Sequence, residues 1–288
     1  MTNVEGPVLP LDWGLHMAYW VADGDPEPRH RLERPETSLN ITVQVTMEPM
    51  TGYELKAARL ASSWTQDDAA EKLGVTQAYL SMVEGGTRVV STELAARAVA
   101  VLKVPATALP LGPYRRQRRN EFYFQKALGA LSYQGFAYMR GPAKLNPAAL
   151  LMEALDSDNL DSRVTEALPW LPVAYPKMDW GWLTLNAKML DRQNRLAFVV
   201  TLAAQIAATK GDSAVGKALL GVVDTLERSR LAAEDTLCNE SMTEAERKWL
   251  KTHRSAMAKH WNLLTDLCVQ TVRSCPPVNH RTSRGIRF

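Results

Sequence analysis

The chain has few cysteines and almost no net charge. Its three cysteines, Cys238, Cys268 and Cys275, form no C-x-x-C pair. This excludes a disulfide framework and a zinc knuckle, and it is typical of a reducing cytoplasm. The formal charge is only +3, from 34 Lys and Arg against 31 Asp and Glu, so the chain as a whole is neither polybasic nor polyacidic. The local distribution of charge is therefore more informative than the total.

Long apolar runs and enzyme signatures are also missing. The longest apolar stretch, residues 197–208, is interrupted by Thr201 and Gln205 and is shorter than the ~20 residues of a membrane span. Glu5 and Asp12 stand where a secretory signal would be basic and then apolar. The chain contains no G-x-S-x-G, Walker, H-E-x-x-H or G-x-G-x-x-G motif. The sequence predicts a soluble cytoplasmic protein that is not an enzyme and has no metal or cofactor.

Both ends of the chain are expected to be poorly ordered. Residues 1–49 contain six prolines and three arginines against eight acidic residues, and only Leu39 to Val45 alternates as a strand would. We expect a flexible N-terminal arm there, and a disordered basic tail over residues 276–288. Because the helical pattern begins directly after Met47 and Met50, a natural start at either methionine is a further hypothesis.

Residues 50–112 carry the start and stop signals of short helices. Thr65 is followed three residues later by Asp68, which is the spacing of a capping box. Gly74 can supply the left-handed turn that ends this helix. The remaining signals are N-caps at Thr76 and Ser91 and a short turn from Pro105 to Leu109. Together they predict a compact bundle of four helices and a fifth short turn.

One motif runs through this bundle. It reads LKAAR at 55–59, WTQ at 64–66, AAEKLGVTQAYLS at 69–81, VEGG at 83–86 and LKVP at 102–105. The segment Leu55–Leu109 resembles the helix-turn-helix domain of the Xre/Cro family of phage-repressor-like DNA-binding proteins. The resemblance implies a five-helix repressor-like domain whose partner is double-stranded DNA.

The resemblance also implies a reading face on the third helix, which enters the major groove in this family. The side chains expected to face the DNA there are Gln77, Ala78, Ser81 and Met82. Gln77 can pair with adenine, Ala78 can contact a thymine methyl group, and Ser81 can reach a base or a phosphate. Met82 departs from the polar residue often found at its position, which predicts weakly specified base preference there.

Other residues are expected to orient the domain on DNA. Gln66 and Arg88 match phosphate-contacting positions, and Thr76 is included with this surface. Tyr79 either stacks on the DNA backbone or covers the turn. In the same family, the residues matching Arg59 and Glu84 form a structural ion pair. Trp64 is expected in the core.

The charge balance of the domain predicts weak binding by a single copy. Residues 50–112 contain six basic and six acidic residues, and affinity for DNA depends on the number of phosphates neutralised. The basic linker 113–120, which includes Arg115 and Arg116, either adds phosphate contacts, the reading that we favour, or is a solvated connection. A homodimer on a two-fold-symmetric operator would supply further contacts.

Cap and turn signals predict an all-helical domain over residues 121–275. Asn146-Pro147 is a cap followed by a first-turn proline, and Asp161–Leu168 is a short amphipathic helix. Pro169, Pro172 and Pro176 predict a non-helical connection. Three longer helices are expected, from Asp179 to about Thr209, from Asp212 to about Cys238, and from a capping box at Thr243–Glu246 to about Arg273.

The last of these helices would have an apolar face and two histidines. The face comprises Leu250, Met257, Trp261, Leu264 and Cys268. His253 and His260 lie seven residues apart, roughly 10 Å along a helix, which is too far to share a metal ion. Cys268 and Cys275 have the same spacing.

Two segments of the helical domain leave alternatives open. The aromatic stretch 168–182, with Trp170, Tyr175, Trp180 and Trp182, is either core or a surface for a partner or ligand. The polar run Asn186–Leu196 is either an exposed face or a buried polar network. The domain is expected to serve dimerisation, sensing or partner binding.

The sequence as a whole predicts an all-α, DNA-binding transcriptional regulator, with repression of an operator as the simplest mechanism. The alternative is an antitoxin-like or phage-defence regulator, whose helical domain binds a partner protein or small-molecule effector while the helix-turn-helix autoregulates the operon. A third interpretation, an enzyme localised by its DNA-binding module, has no catalytic motif to support it.

Overall fold

The computed structural model describes residues 50–102, 104–139, 141 and 145–272. The predictions for the N-terminal arm, the strand at 39–45, the start at Met47, the basic tail and Cys275 all lie outside these residues. The described part is built from helices, with two two-residue strands, so the all-α prediction is confirmed.

Four helices and a 3₁₀ turn form the N-terminal bundle. They are α1 Gly52–Ala61, α2 Gln66–Leu73, α3 Gln77–Glu84, α4 Thr92–Val101 and the 3₁₀ turn Ala106–Ala108. The predicted caps are present: Thr65, Thr76 and Ser91 accept hydrogen bonds from backbone N–H groups in the first turn. Thr51, which was not predicted as a cap, does the same for α1. The helices therefore begin where local hydrogen bonding fixes them.

The turn between α2 and α3 depends on Gly74. Its φ is +64°, a left-handed conformation that a side chain makes costly. Leu73 before it and Leu80 after it are buried in the same core. The turn therefore places α3 across α2 with one face buried and the other free.

In the described part of the chain, ten helices follow the bundle. They are α5 Glu121–Ala130, α6 Pro147–Leu155, α7 Ser162–Ala167, α8 Trp170–Ala174, α9 Trp180–Met189, α10 Gln193–Thr209, α11 Ser213–Glu227, α12 Glu244–His253, α13 Ala256–His260 and α14 Val269–Val272, with a kinked 3₁₀ segment Gln134–Met139 after α5. Strands β1 Asp235–Thr236 and β2 Leu263–Leu264 pair in parallel. Helix α10 forms the centre of this part, because it is buried along nearly its whole length, while α11 packs against it and buries only Gly216, Leu219 and Leu226.

The predicted long helix from Asp179 to Thr209 was wrong, because it is broken after α9. Asp179 does cap α9, but Asp191 adopts a left-handed φ of 56°. The N–H of Arg192 then donates to the carbonyl of Ala187 at 2.7 Å, which is the bond that closes a Schellman turn. An aspartate here takes the position usually given to glycine.

The helix predicted from Asp212 to Cys238 also ends early, at Glu227. Side chains of α10 hold the chain that follows: the Gln193 amide donates to Ser229 O, and the Asn194 amide donates to Leu231 O and accepts from Leu231 N. Because these amides bind the backbone, residues 229–231 leave the helix and turn toward β1.

The last predicted helix is likewise divided. The Thr243–Glu246 capping box is present, but Arg254 is extended and Ser255 caps a new helix, α13. The Arg254 guanidinium donates to Leu263 O at 3.0 Å, which draws the chain away from a continuous helix. His253 and His260 therefore lie on different helices, and the five residues of the predicted apolar face share no single helix.

The proline-rich connection contains a helix that was not predicted. Pro172 is the third residue of α8, where its missing N–H would have had no intrahelical partner. Trp170 and Leu171 are buried. The three prolines thus limit the length of this helix without preventing it.

Candidate nucleic-acid interface

Helix α3 buries one face and exposes the other. Leu80 and Val83 are buried in the bundle core. The residues predicted to read DNA, Gln77, Ala78, Ser81 and Met82, are all exposed. Ser81 and Met82 come four residues after Gln77 and Ala78, which is about one helical turn. The four predicted residues therefore lie on one face of α3.

Thr76 and Tyr79 lie at the first turn of α3. The Thr76 hydroxyl oxygen accepts the N–H of Tyr79 at 3.2 Å, so Thr76 caps the helix and is itself exposed. Tyr79 is half-buried and packs against the core. Its ring is therefore partly packed on the core and partly accessible beside the exposed residues, which leaves both predicted roles open.

A chain of polar contacts leads from the core to the first residue of α3. Arg59 donates two hydrogen bonds to the Glu84 carboxylate, Nε to Oε1 at 2.7 Å and a terminal nitrogen to Oε2 at 2.9 Å. Gln66 donates to Glu84 Oε2 at 2.9 Å, and Gln77 donates to Gln66 Oε1 at 2.7 Å. The Gln77 side chain is therefore held in place by a second glutamine that is anchored on a buried carboxylate.

The Arg59–Glu84 ion pair predicted from the family resemblance is confirmed. Both side chains are buried. Burial raises the pKa of the Glu84 carboxyl, but hydrogen bonds from Arg59 and Gln66 and the charge of Arg59 outweigh burial, so the pKa lies below its ordinary value. Glu84 is therefore ionised at neutral pH and remains an acceptor for Gln66.

Two further predicted residues, Arg88 and Trp64, lie outside α3. Arg88 is exposed and forms no ion pair with any residue in the described part of the chain. Trp64 is half-buried against the core, with the Lys72 ammonium 5.0 Å from its ring centroid. Its placement agrees with the expected core role.

The linker arginines are divided between free and paired groups. Arg115 and Arg118 are exposed and make no ion pair within the described ranges. Arg116 pairs with Asp156 and Asp158, and Arg119 pairs with Glu153 at 3.4 Å. These acidic partners were not predicted from the sequence. For Asp156 and Asp158 the sequence signal is a D-S-D run some forty residues after the arginine cluster.

The structure also shows where the aromatic stretch 168–182 and the polar run 186–196 of the helical domain lie. In the aromatic stretch, Trp170 and Trp182 are buried, while Tyr175 and Trp180 are half-buried. The stretch is therefore mainly core. The C-terminal half of the polar run forms a buried network in which Arg195, fully buried, contacts Asp235 through two hydrogen bonds of 2.7 Å.

Comparison with known proteins identifies one segment. Residues 55–109 match the family model described as Helix-turn-helix. A search of the curated proteins and a search of the solved structures gave no match. No helix in the described part of the chain has the length and apolar character needed to cross a membrane.

Proposed function

We propose that the chain is a sequence-specific transcriptional repressor that binds a two-fold-symmetric operator as a homodimer. Residues 55–109 are a helix-turn-helix domain of the Xre/Cro type. The helix-turn-helix supports DNA binding and a regulatory role. Specificity, repression and dimerisation are the parts of the proposal that experiment must test.

The ordered Gln77 side chain carries the proposal. A glutamine amide can donate to and accept from one adenine edge in the major groove. Gln77 stands at the exposed start of α3, and its hydrogen bond to Gln66 restrains its amide in the DNA-free protein. Preorganisation reduces the entropy lost on binding, so this geometry favours recognition of a particular base.

The neutral charge of the helix-turn-helix domain favours binding as a dimer. Because residues 50–112 carry equal numbers of basic and acidic residues, one copy offers few favourable phosphate contacts. Two copies related by a two-fold axis would read half-sites about one helical turn apart. In this proposal the helical domain is the part that brings two copies together.

The first experiment titrates the full chain against the DNA upstream of its own gene, at two salt concentrations, with scrambled duplex as competitor. Protection of a symmetric site is expected. Gln77→Ala should cost about 1–3 kcal/mol at that site and relax base choice at one position. Arg88→Ala should weaken binding to all duplexes alike.

A control distinguishes loss of reading from general damage. Gln270 on α14 is exposed and far along the chain from α3, so Gln270→Ala should leave affinity unchanged. If upstream and scrambled duplexes bind equally well, sequence specificity is refuted. If Gln77→Ala weakens both duplexes equally, the assigned reading face is wrong.

An antitoxin-like regulator is the second candidate, and one surface observation favours it. Trp249 is 53 % exposed, and its ring is stacked on His253 with 4.5 Å between centroids. Exposed tryptophan is enriched where proteins bind partners. Copurification of the product of a neighbouring gene, lost in Trp249→Ala, would support this candidate.

A further inference from the structure

The linker after the helix-turn-helix is attached to the helical domain. The Trp182 indole donates to Gly112 O at 3.0 Å, and the Tyr114 hydroxyl donates to Asp156 Oδ2 at 2.9 Å. The rings of Tyr114 and Trp182 also meet edge to face, with 6.2 Å between centroids. The chain that carries the linker arginines therefore lies against α6 and α9.

Arg116 is held in this linker by two carboxylates. Its Nε lies 3.5 Å from Asp156 Oδ2, and a terminal nitrogen donates to Asp156 O at 3.2 Å. The same nitrogen donates to Asp158 Oδ1. Carboxylate oxygens accept hydrogen bonds from a guanidinium in the same way as phosphate oxygens do.

If Arg116 moves away, neither the Asp156 nor the Asp158 carboxylate is left buried without a partner. Asp156 is buried, but it would keep the Tyr114 hydroxyl and the Arg192 guanidinium, whose Nε is 3.6 Å from Oδ1. The Asp158 side chain is 45 % exposed, so water can replace Arg116 there.

Arg195 provides the contrast within the same part of the molecule. Its side chain is fully buried and donates two hydrogen bonds of 2.7 Å to Asp235, so moving it would break contacts inside the core. The Arg116 side chain is 52 % exposed, and exposed ion pairs contribute little free energy. Arg116 is therefore an exchangeable member of the network, while Arg195 is a fixed one.

We propose that Asp156 and Asp158 act as an intramolecular competitor for DNA, holding Arg116 in the DNA-free protein and releasing it to a backbone phosphate on binding. This inference rests on the proposed DNA-binding function. It gives the linker a regulatory role, because anything that strengthens or weakens the carboxylate contact changes DNA affinity in the opposite sense. Arg115 and Arg118, which are not held, remain available to phosphate in both states.

The test compares Asp158→Asn with a matched control on scrambled duplex at low salt. Asp158→Asn should raise affinity about two- to fivefold, the range of a weak exposed ion pair. Glu166→Gln changes the net charge equally and removes an exposed carboxylate that has no ion pair or hydrogen bond in the described part of the chain. It should raise affinity less.

A second variant tests the phosphate contact itself. Arg116→Gln should reduce the slope of log affinity against log salt by about 0.9, the value for one phosphate. In the Arg116→Gln background, Asp158→Asn should raise affinity no more than Glu166→Gln does, because Asp158 then has no Arg116 contact to lose. Equal effects of Asp158→Asn and Glu166→Gln, or an unchanged salt slope for Arg116→Gln, would overturn the proposal.

The two proposals fail in different ways. Preference for the upstream duplex over the scrambled duplex tests the proposed function, whereas the competitor is measured on scrambled duplex alone. An Asp158→Asn effect without sequence preference supports the competitor and refutes specificity. Sequence preference without an Asp158→Asn effect refutes only the competitor, and absence of binding to any duplex refutes both.

Discussion

Replacement of Glu84 by glutamine should destabilise the helix-turn-helix bundle and loosen its reading face together. Glu84 accepts two hydrogen bonds from Arg59 and one from Gln66. In Glu84→Gln one oxygen becomes an NH₂ group that faces donors, and the buried Arg59 loses its counter-charge. Breaking a buried ion pair by removing one partner costs about 3–5 kcal/mol. The retained amide oxygen places the expected loss near the lower end of that range.

Urea unfolding monitored by circular dichroism measures this loss, and a double variant controls for it. Arg59→Met combined with Glu84→Leu removes both charges, and it should be more stable than Glu84→Gln because no unpaired charge remains. A loss below about 1 kcal/mol in Glu84→Gln, within the range of an exposed pair, would refute the reasoning from burial.

The pH dependence of the same difference gives an independent check. The folded pKa of Glu84 lies below its ordinary value of 4.5, so its ionised form stabilises the folded state. The advantage of the wild type over Glu84→Gln should be complete above about pH 5 and should shrink as the pH falls through the folded pKa. An advantage that grows on acidification would contradict this sign.

Three further predictions concern stability and reactivity. Gly74→Ala should lower the unfolding free energy by about 1 kcal/mol, measured by urea titration, because its φ is +64°; no loss would mean that the turn relaxes. Arg195→Lys keeps the charge but cannot reproduce the two hydrogen bonds to Asp235, so the melting temperature should fall, whereas an unchanged value would show that charge alone suffices. Burial raises the pKa of the Cys238 thiol to about 11, so iodoacetamide should label the half-buried Cys268 in the native protein and Cys238 only after unfolding, as peptide mass spectrometry would show.

The N-terminal bundle could be predicted from sequence because its signals are local. Thr65 with Asp68, and Gly74 with its left-handed φ, act within a few residues of their own positions. The exposed face of α3 followed from the same spacing. The contact between Gln66 and Gln77 was not predicted, because it joins two helices that each appear complete in the sequence.

The helical domain was harder to predict because distant side chains end its helices. Asn194 holds the backbone of Leu231, and Arg254 binds the carbonyl of Leu263. The spacing of apolar residues along a helix does not reveal either contact. Asp191 also ends a helix where glycine is the usual signal, so the break after α9 had no recognisable marker.

The contacts of Arg195 impose a condition on how the helical domain can be divided. Its guanidinium is satisfied by the carbonyls of Leu155 and Ser157 on one side and by Asp235 and Glu240 on the other. These groups lie some forty residues before and after it in the chain. A fragment that ends before β1 would bury Arg195 without a counter-ion, so proteolytic cuts or truncations in the loop before β1 should release an unstable core instead of a smaller domain. We therefore expect the segment from α6 to β1 to fold as one unit.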